Sequence, residues 1–185
     1  MPITQKLLHI LRKLNHGVAI LVGILLLGCA ALVLTDIILR QWGSSFGGTD
    51  EISGYVMAIA TSWGMAFTLL ELGHVRIDIL RGRVGSIGRA LFDLFSMLLL
   101  SATVTLIAIK AWPVLARSLA NASRANTPLE TPLAWVQLPW FSGWLWFAIV
   151  AWLTFIIALL MVIRGEFSQS EAAIGSFAGE AEHVE

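Results

Sequence analysis

The stretch WFSGWLWFAIVAWLTFIIALLMVI, residues 140–163, runs for 24 residues without a charged side chain. About 20 helical residues cross the hydrocarbon core of a bilayer, so this segment is long enough to span one. Three more stretches read the same way. Residues 17–39 carry only Asp36, near their end, and residues 52–73 carry only Glu71, again near the end. Residues 90–112 have Asp93 near the start and Lys110 near the finish. Four such lengths in one small chain are out of keeping with the buried helices of a soluble protein. Strands are excluded because open sheet edges cannot face lipid. The sequence therefore predicts an all-α integral membrane protein with four transmembrane helices. It divides the chain into a basic amphipathic segment at 1–16, a transmembrane domain at 17–163 and an acidic tail at 164–185.

Composition supports this class. Of 185 residues, 57% are apolar and 13% charged, against roughly 45–50% and about 25% in ordinary globular proteins. Disorder, a coiled coil, collagen and a nucleic-acid partner are excluded on that basis. Twelve basic residues balance twelve acidic ones, so net charge favours neither an anionic nor a cationic partner. The single cysteine, Cys29, leaves no internal disulfide and no Cys-rich zinc site. Leu26-Leu27-Gly28-Cys29 resembles a lipoprotein cleavage box behind Lys6, Arg12 and Lys13. The apolar run continues ten residues past Cys29, longer than a signal-peptide core of about 7–15 residues. A retained helix with a small buried thiol is the expectation.

Lys and Arg set the orientation. Lys6, Arg12, Lys13, Arg76, Arg81, Arg83, Arg89 and Arg164 fall on one side of the four spans. Arg40, Lys110, Arg117 and Arg124 fall on the other. That asymmetry predicts both termini in the cytoplasm. Trp42, Trp112, Trp135, Trp140 and Trp144 sit near the predicted outer face, where amphipathic rings favour the interface. Trp63 and Trp152 lie mid-span, against helices or lipid.

The segments outside the spans differ in character. In residues 3–16, Ile3, Leu7, Leu8, Ile10, Leu11 and Leu14 share one side of a helix, with Lys6, His9, Arg12 and Lys13 on the rest. Such a helix suits the inner membrane surface, or simply extends span one. The 113–139 loop, with prolines at 113, 128, 132 and 139, predicts a short helix over 114–125. A proline-broken apolar half follows it, lying in the outer interface or against another protein. The tail after Arg164 is small-residue-rich and aperiodic, and reads as mobile.

Few residues bear chemistry. Asp36 and Arg40 stand four apart in the favourable order for a helical ion pair. An intramembrane carboxylate also invites a role in ion coupling or in contact with a partner subunit. If the two simply pair, Asp36→Ala should be worse than alanine at both positions, because the single change leaves an uncompensated charge. Glu71, His74 and Asp78, flanked by Arg76 and Arg81, share a face if the second helix runs on into its loop. That group reads as a metal or acid–base site or, more simply, as a docking surface. No histidine falls mid-membrane, so a bis-His haem is not available. The chain lacks a phosphate-binding glycine loop and an HExxH motif. The reading is of a non-enzyme without a cofactor or a metal. Gly54, Ala58, Thr61 and Thr68 form a strip of small residues on span two that would let another helix approach closely.

Three motifs point to a family. They are DIILR at 36–40, TDEISGY at 49–55 and GHVRIDIL at 73–80. With four spans and a TPL…LP loop before the last, the chain resembles the small (Q-type) membrane subunit of tripartite ATP-independent periplasmic (TRAP) transporters. The resemblance covers most of residues 17–163. The family often shows a Trp before the acidic residue opening span two, where this chain has Gly48-Thr49-Asp50-Glu51. The resemblance implies sodium-driven uptake of an organic acid or related solute in the bacterial inner membrane. It implies two partners: a large elevator-type membrane subunit, stably bound, and a periplasmic solute-binding protein, transiently bound. The small subunit is then a scaffold without a solute site. Asp36, Arg40, Asp50, Glu51, Gly54, Ala58, His74, Arg76 and Asp78 become structural or partner-contact residues. A stand-alone ion-coupled carrier using Asp36 is the alternative.

Overall fold

The computed structural model describes residues 3–74 and 81–175. Every regular element among them is helical: α1 Ile3–Gln41, α2 Thr49–Leu70, α3 Ser86–Ala120, α4 Leu133–Ile163 and α5 Phe167–Ile174, with one 3₁₀ turn at Arg81–Arg83. The first four are long and apolar enough to cross a membrane. The predicted class therefore stands, with longer helices than the apolar runs indicated.

The differences have local causes. Residues 3–16 do not form a separate surface helix but run unbroken into the first span. They bury Leu8, Leu11 and Asn15 inside the protein, while Leu7, Ile10 and Leu14 stay exposed. Helix α3 passes through Pro113 and continues to Ala120, and α4 starts at Leu133, ahead of Pro139. The loop expected over 113–139 thus shrinks to 121–132. A missing N–H at each proline costs one backbone bond, and the apolar surroundings favour keeping all the others within a helix. The tail also holds structure: α5 buries Ser170, Ala173 and Ile174. Its aperiodic sequence hides this, because eight residues are too few to show a helical period. Cys29 is half-buried rather than enclosed.

The helices are staggered. Helix α2 ends opposite the middle of α4, since His74 stacks on Phe147 with ring centroids 6.0 Å apart. Past that point the N-terminal part of α1 takes the place of α2. The Asn15 carboxamide oxygen accepts from Trp146 Nε1 at 3.1 Å, Gln5 Nε2 donates to Gln169 Oε1 at 3.0 Å, and the Leu8 and Leu11 side chains join the core around Phe147, Met161 and Ile174. The core lies between α3, α4 and these ends. By contrast, the most apolar 18-residue window of α1 buries none of its residues. Its glycines at 17, 23 and 28 would meet nothing within 4 Å if they carried a Cβ.

Helices α2 and α4 approach closely at Gly143. A Cβ on Gly143 would collide with Ser62 and come within 2.8 Å of Trp63 Cδ1. Trp63 Nε1 donates to the Pro139 carbonyl at 2.9 Å, one turn away. Trp152 Nε1 ties α4 to α3 by donating to Thr105 Oγ1 at 2.9 Å.

Candidate functional site

Charged side chains concentrate their bonds at two places, one at each end of the bundle. At the end opposite the N-terminus, Asp36 is almost wholly buried. Its Oδ1 accepts from Ser45 Oγ and the Phe46 backbone N–H, both at 2.8 Å. Its Oδ2 accepts from Thr49 Oγ1 at 2.9 Å and pairs with Arg40 at 2.7 Å. Arg40 also donates to Thr49 Oγ1 at 3.3 Å and is half-exposed. One carboxylate thereby pins the whole 42–48 connection and the first residue of α2 to α1. The turn ends on Gly47 and Gly48 at φ 69° and 76°. Gly48 is confined further by Leu129, whose side chain occupies the space of a Cβ. The 121–132 loop is in turn closed on itself by Ala125 N–H to Thr131 O and Leu133 N–H to Ser123 O, each 2.9 Å.

This geometry changes the expectation for Asp36. Arg40 has access to water, whereas Phe46 N–H, Ser45 and Thr49 lose their acceptor whenever the carboxylate is removed. A donor left unsatisfied costs about 1–3 kcal/mol. Asp36→Ala and the Asp36→Ala/Arg40→Ala pair should therefore lose similar amounts of folded protein. Thermal unfolding in detergent measures it, and clear rescue by the second substitution would return the ion pair to first place.

At the basic end, Arg81 forms a forked pair with Asp93, Nε to Oδ1 at 2.9 Å and Nη2 to Oδ2 at 3.1 Å. Arg81 Nη2 also reaches Glu171 Oε1 on α5 at 2.6 Å, and Arg89 meets the same oxygen at 3.4 Å. The Arg81 and Asp93 side chains are only 10% and 4% exposed. Burial opposes the charge on Arg81, but the bonds and charge of Asp93, then of Glu171, outweigh it and hold the guanidinium more firmly protonated than usual. This cluster joins the α2–α3 connection, the start of α3 and α5. Sequence reasoning missed it, because Glu171 lies 90 residues from Arg81. The available signal was Asp93 itself, an acid inside an apolar run just after an Arg-rich loop.

The remaining candidates are scattered. Asp50 is exposed in the first turn of α2. Glu51 accepts from Tyr55 Oη at 2.7 Å. Gly54 is exposed, and a Cβ there would meet nothing within 4 Å. Ala58 lines an apolar groove with Tyr55, Val114, Val136 and Trp140. The small residues that do pack in the bundle are Ala60, Ser62 and Ala66, the strip beside the predicted one. Arg76 and Asp78 lie outside the described residues. The predicted Glu71–His74–Asp78 face requires a continuing second helix, but α2 stops at Leu70, and Asp78 is not among the described residues. Leu72 turns left-handed at φ 55°, and Gly73 N–H returns to Thr68 O at 2.8 Å, a helix-terminating pattern. Among the described residues no three His, Cys, Asp or Glu side chains converge to hold a metal ion.

Four apolar helices, tied at both ends and bearing long unburied apolar faces, define a multi-pass membrane protein. The family model described as "Tripartite ATP-independent periplasmic transporters, DctQ component" matches residues 29–161. The chain belongs to that family, and is a transporter component rather than an enzyme. A component of a tripartite transporter works with a partner membrane subunit and a binding-protein subunit. No curated protein and no solved structure matches the chain.

Proposed function

We propose that this chain is the scaffold subunit of a sodium-coupled, binding-protein-dependent transporter in the bacterial inner membrane. It supports uptake of an organic acid or related small solute. It packs stably against the large elevator-type subunit, meets the solute-binding protein transiently and holds no solute site itself. The Asp36 site carries this reading. Its carboxylate would be the coupling group of a stand-alone carrier, yet both oxygens are committed to Arg40 and to a turn. A group that releases an ion each cycle needs an exchangeable coordination place; here each release would undo a loop. The exposed Gly54 and the half-buried, groove-lining Ala58 are the proposed contact with the large subunit, where small residues permit close helix packing. Both termini lie in the cytoplasm, a placement supported by the Lys/Arg asymmetry and checked by a reporter fused at Glu185.

Reconstitution tests the assignment. The chain alone in liposomes should move no solute under a sodium gradient. Adding the large subunit and solute-loaded binding protein should start uptake. Sodium-driven uptake by this chain alone would replace the scaffold with the carrier.

A further inference from the structure

One stripe of α3 carries two cations that the bundle does not use. Lys110, Val114 and Arg117 recur at helical spacing on a single face. Lys110 and Arg117 are exposed, and neither side chain makes a hydrogen bond or ion pair to another described residue. A turn deeper, the same face runs on to Leu106 and Ile107. These residues, with Lys110, Ala111, Val114 and Trp140 of α4, line an open apolar groove. Trp112 and Trp135 nearby are 53% and 77% exposed, the placement of rings at a membrane–water interface.

We propose that this groove is a binding site for an anionic phospholipid. Its phosphate oxygens take Lys110 and Arg117, and an acyl chain descends along Leu106 and Ile107 against Trp140. The two cations lie about 10 Å apart along the helix axis, within reach of one headgroup for two long, flexible side chains. Arg117 lies outermost, Lys110 shares the groove with Trp140, and the aliphatic surface of Leu106 and Ile107 lies below. Charge decides the headgroup: two uncompensated cations favour a net negative lipid over a zwitterionic one. The apolar walls decide for an intact lipid over free phosphate. This site is built by α3 and α4, and its Val114 and Trp140 also line the neighbouring groove that holds Ala58.

The test uses the full-length chain, purified and delipidated in detergent. Native mass spectrometry follows titration with phosphatidylglycerol or with phosphatidylcholine of the same acyl chains. Phosphatidylglycerol should bind more tightly. Each of Lys110→Gln and Arg117→Gln should weaken it about fivefold and the double variant roughly 25-fold, the approximate worth of one and two basic residues at an anionic surface. Phosphatidylcholine binding should barely change, and Lys110→Arg should behave as the parent. Val114→Trp, which fills the groove and leaves both cations, should also weaken phosphatidylglycerol. Inorganic phosphate should not displace it. Equal affinity for the two lipids, or no loss in the double variant, overturns the proposal. Displacement by inorganic phosphate overturns it in favour of a simple anion site. Loss of the co-purifying large subunit in the double variant, with lipid binding intact, overturns it by assigning the face to protein.

Discussion

Arg81→Met should be the most damaging single substitution in the chain. It removes two charge-assisted bonds and the counter-charge from Asp93, whose side chain is 4% exposed. Breaking a buried ion pair from one side costs about 3–5 kcal/mol, because the surviving charge remains buried. The same substitution leaves Glu171 its longer pair with Arg89 on α3 but removes the tie of α5 to the α2–α3 connection. Arg81→Met combined with Asp93→Leu should recover much of the loss, since an apolar pair carries no desolvation penalty. Glu171→Gln should be far milder, because that side chain is 37% exposed and Arg81 keeps Asp93. Thermal unfolding of the detergent-solubilised chain ranks the three. If Glu171→Gln matched Arg81→Met, the cluster would act through α5 docking and not through the buried pair.

Gly143→Leu should follow closely. Even the first added carbon would collide with Ser62 and with the edge of Trp63, so α2 and α4 must move apart. Overpacking of this kind costs about 1–3 kcal/mol. Here it also pulls Trp63 Nε1 away from the Pro139 carbonyl. Gly143→Ala should show a smaller version of the defect. Ser62→Gly should relieve it only in part, because Trp63 remains in the way. The yield of monodisperse protein and its unfolding temperature report both effects. A Gly143→Leu variant of parental stability would mean that the two helices tolerate a wider spacing than their side chains indicate.

Much of the architecture could be read from single residues. The four long apolar runs determined the number of membrane helices, because a near-absence of charge over some 20 residues has few explanations besides hydrocarbon. The 36–40, 49–55 and 73–80 motifs pointed to the family that the match over residues 29–161 establishes. Asp36 with Arg40 was visible too, because helical partners four residues apart are written in the sequence. Helix ends were less legible. Pro113 and Pro139 looked like boundaries, but in an apolar setting a helix gains more by keeping its other backbone bonds than it loses at one proline.

What the sequence by itself determined about this protein is its class, its span count and the local pairing on α1. Each depends on residues close together in the chain and on a solvent that punishes exposed charge and backbone. The tertiary structure alone decided the partners of Asp93, the use of the 164–175 segment and the stagger that sets α1 beside α4. Glu171 meets Arg81 across 90 residues, and Asn15 meets Trp146 across 131. Such contacts depend on how far one helix slides past another. In a bundle of apolar faces many positions satisfy the hydrophobic pattern equally well, so the choice falls to a few steric and polar details such as the absent side chain of Gly143.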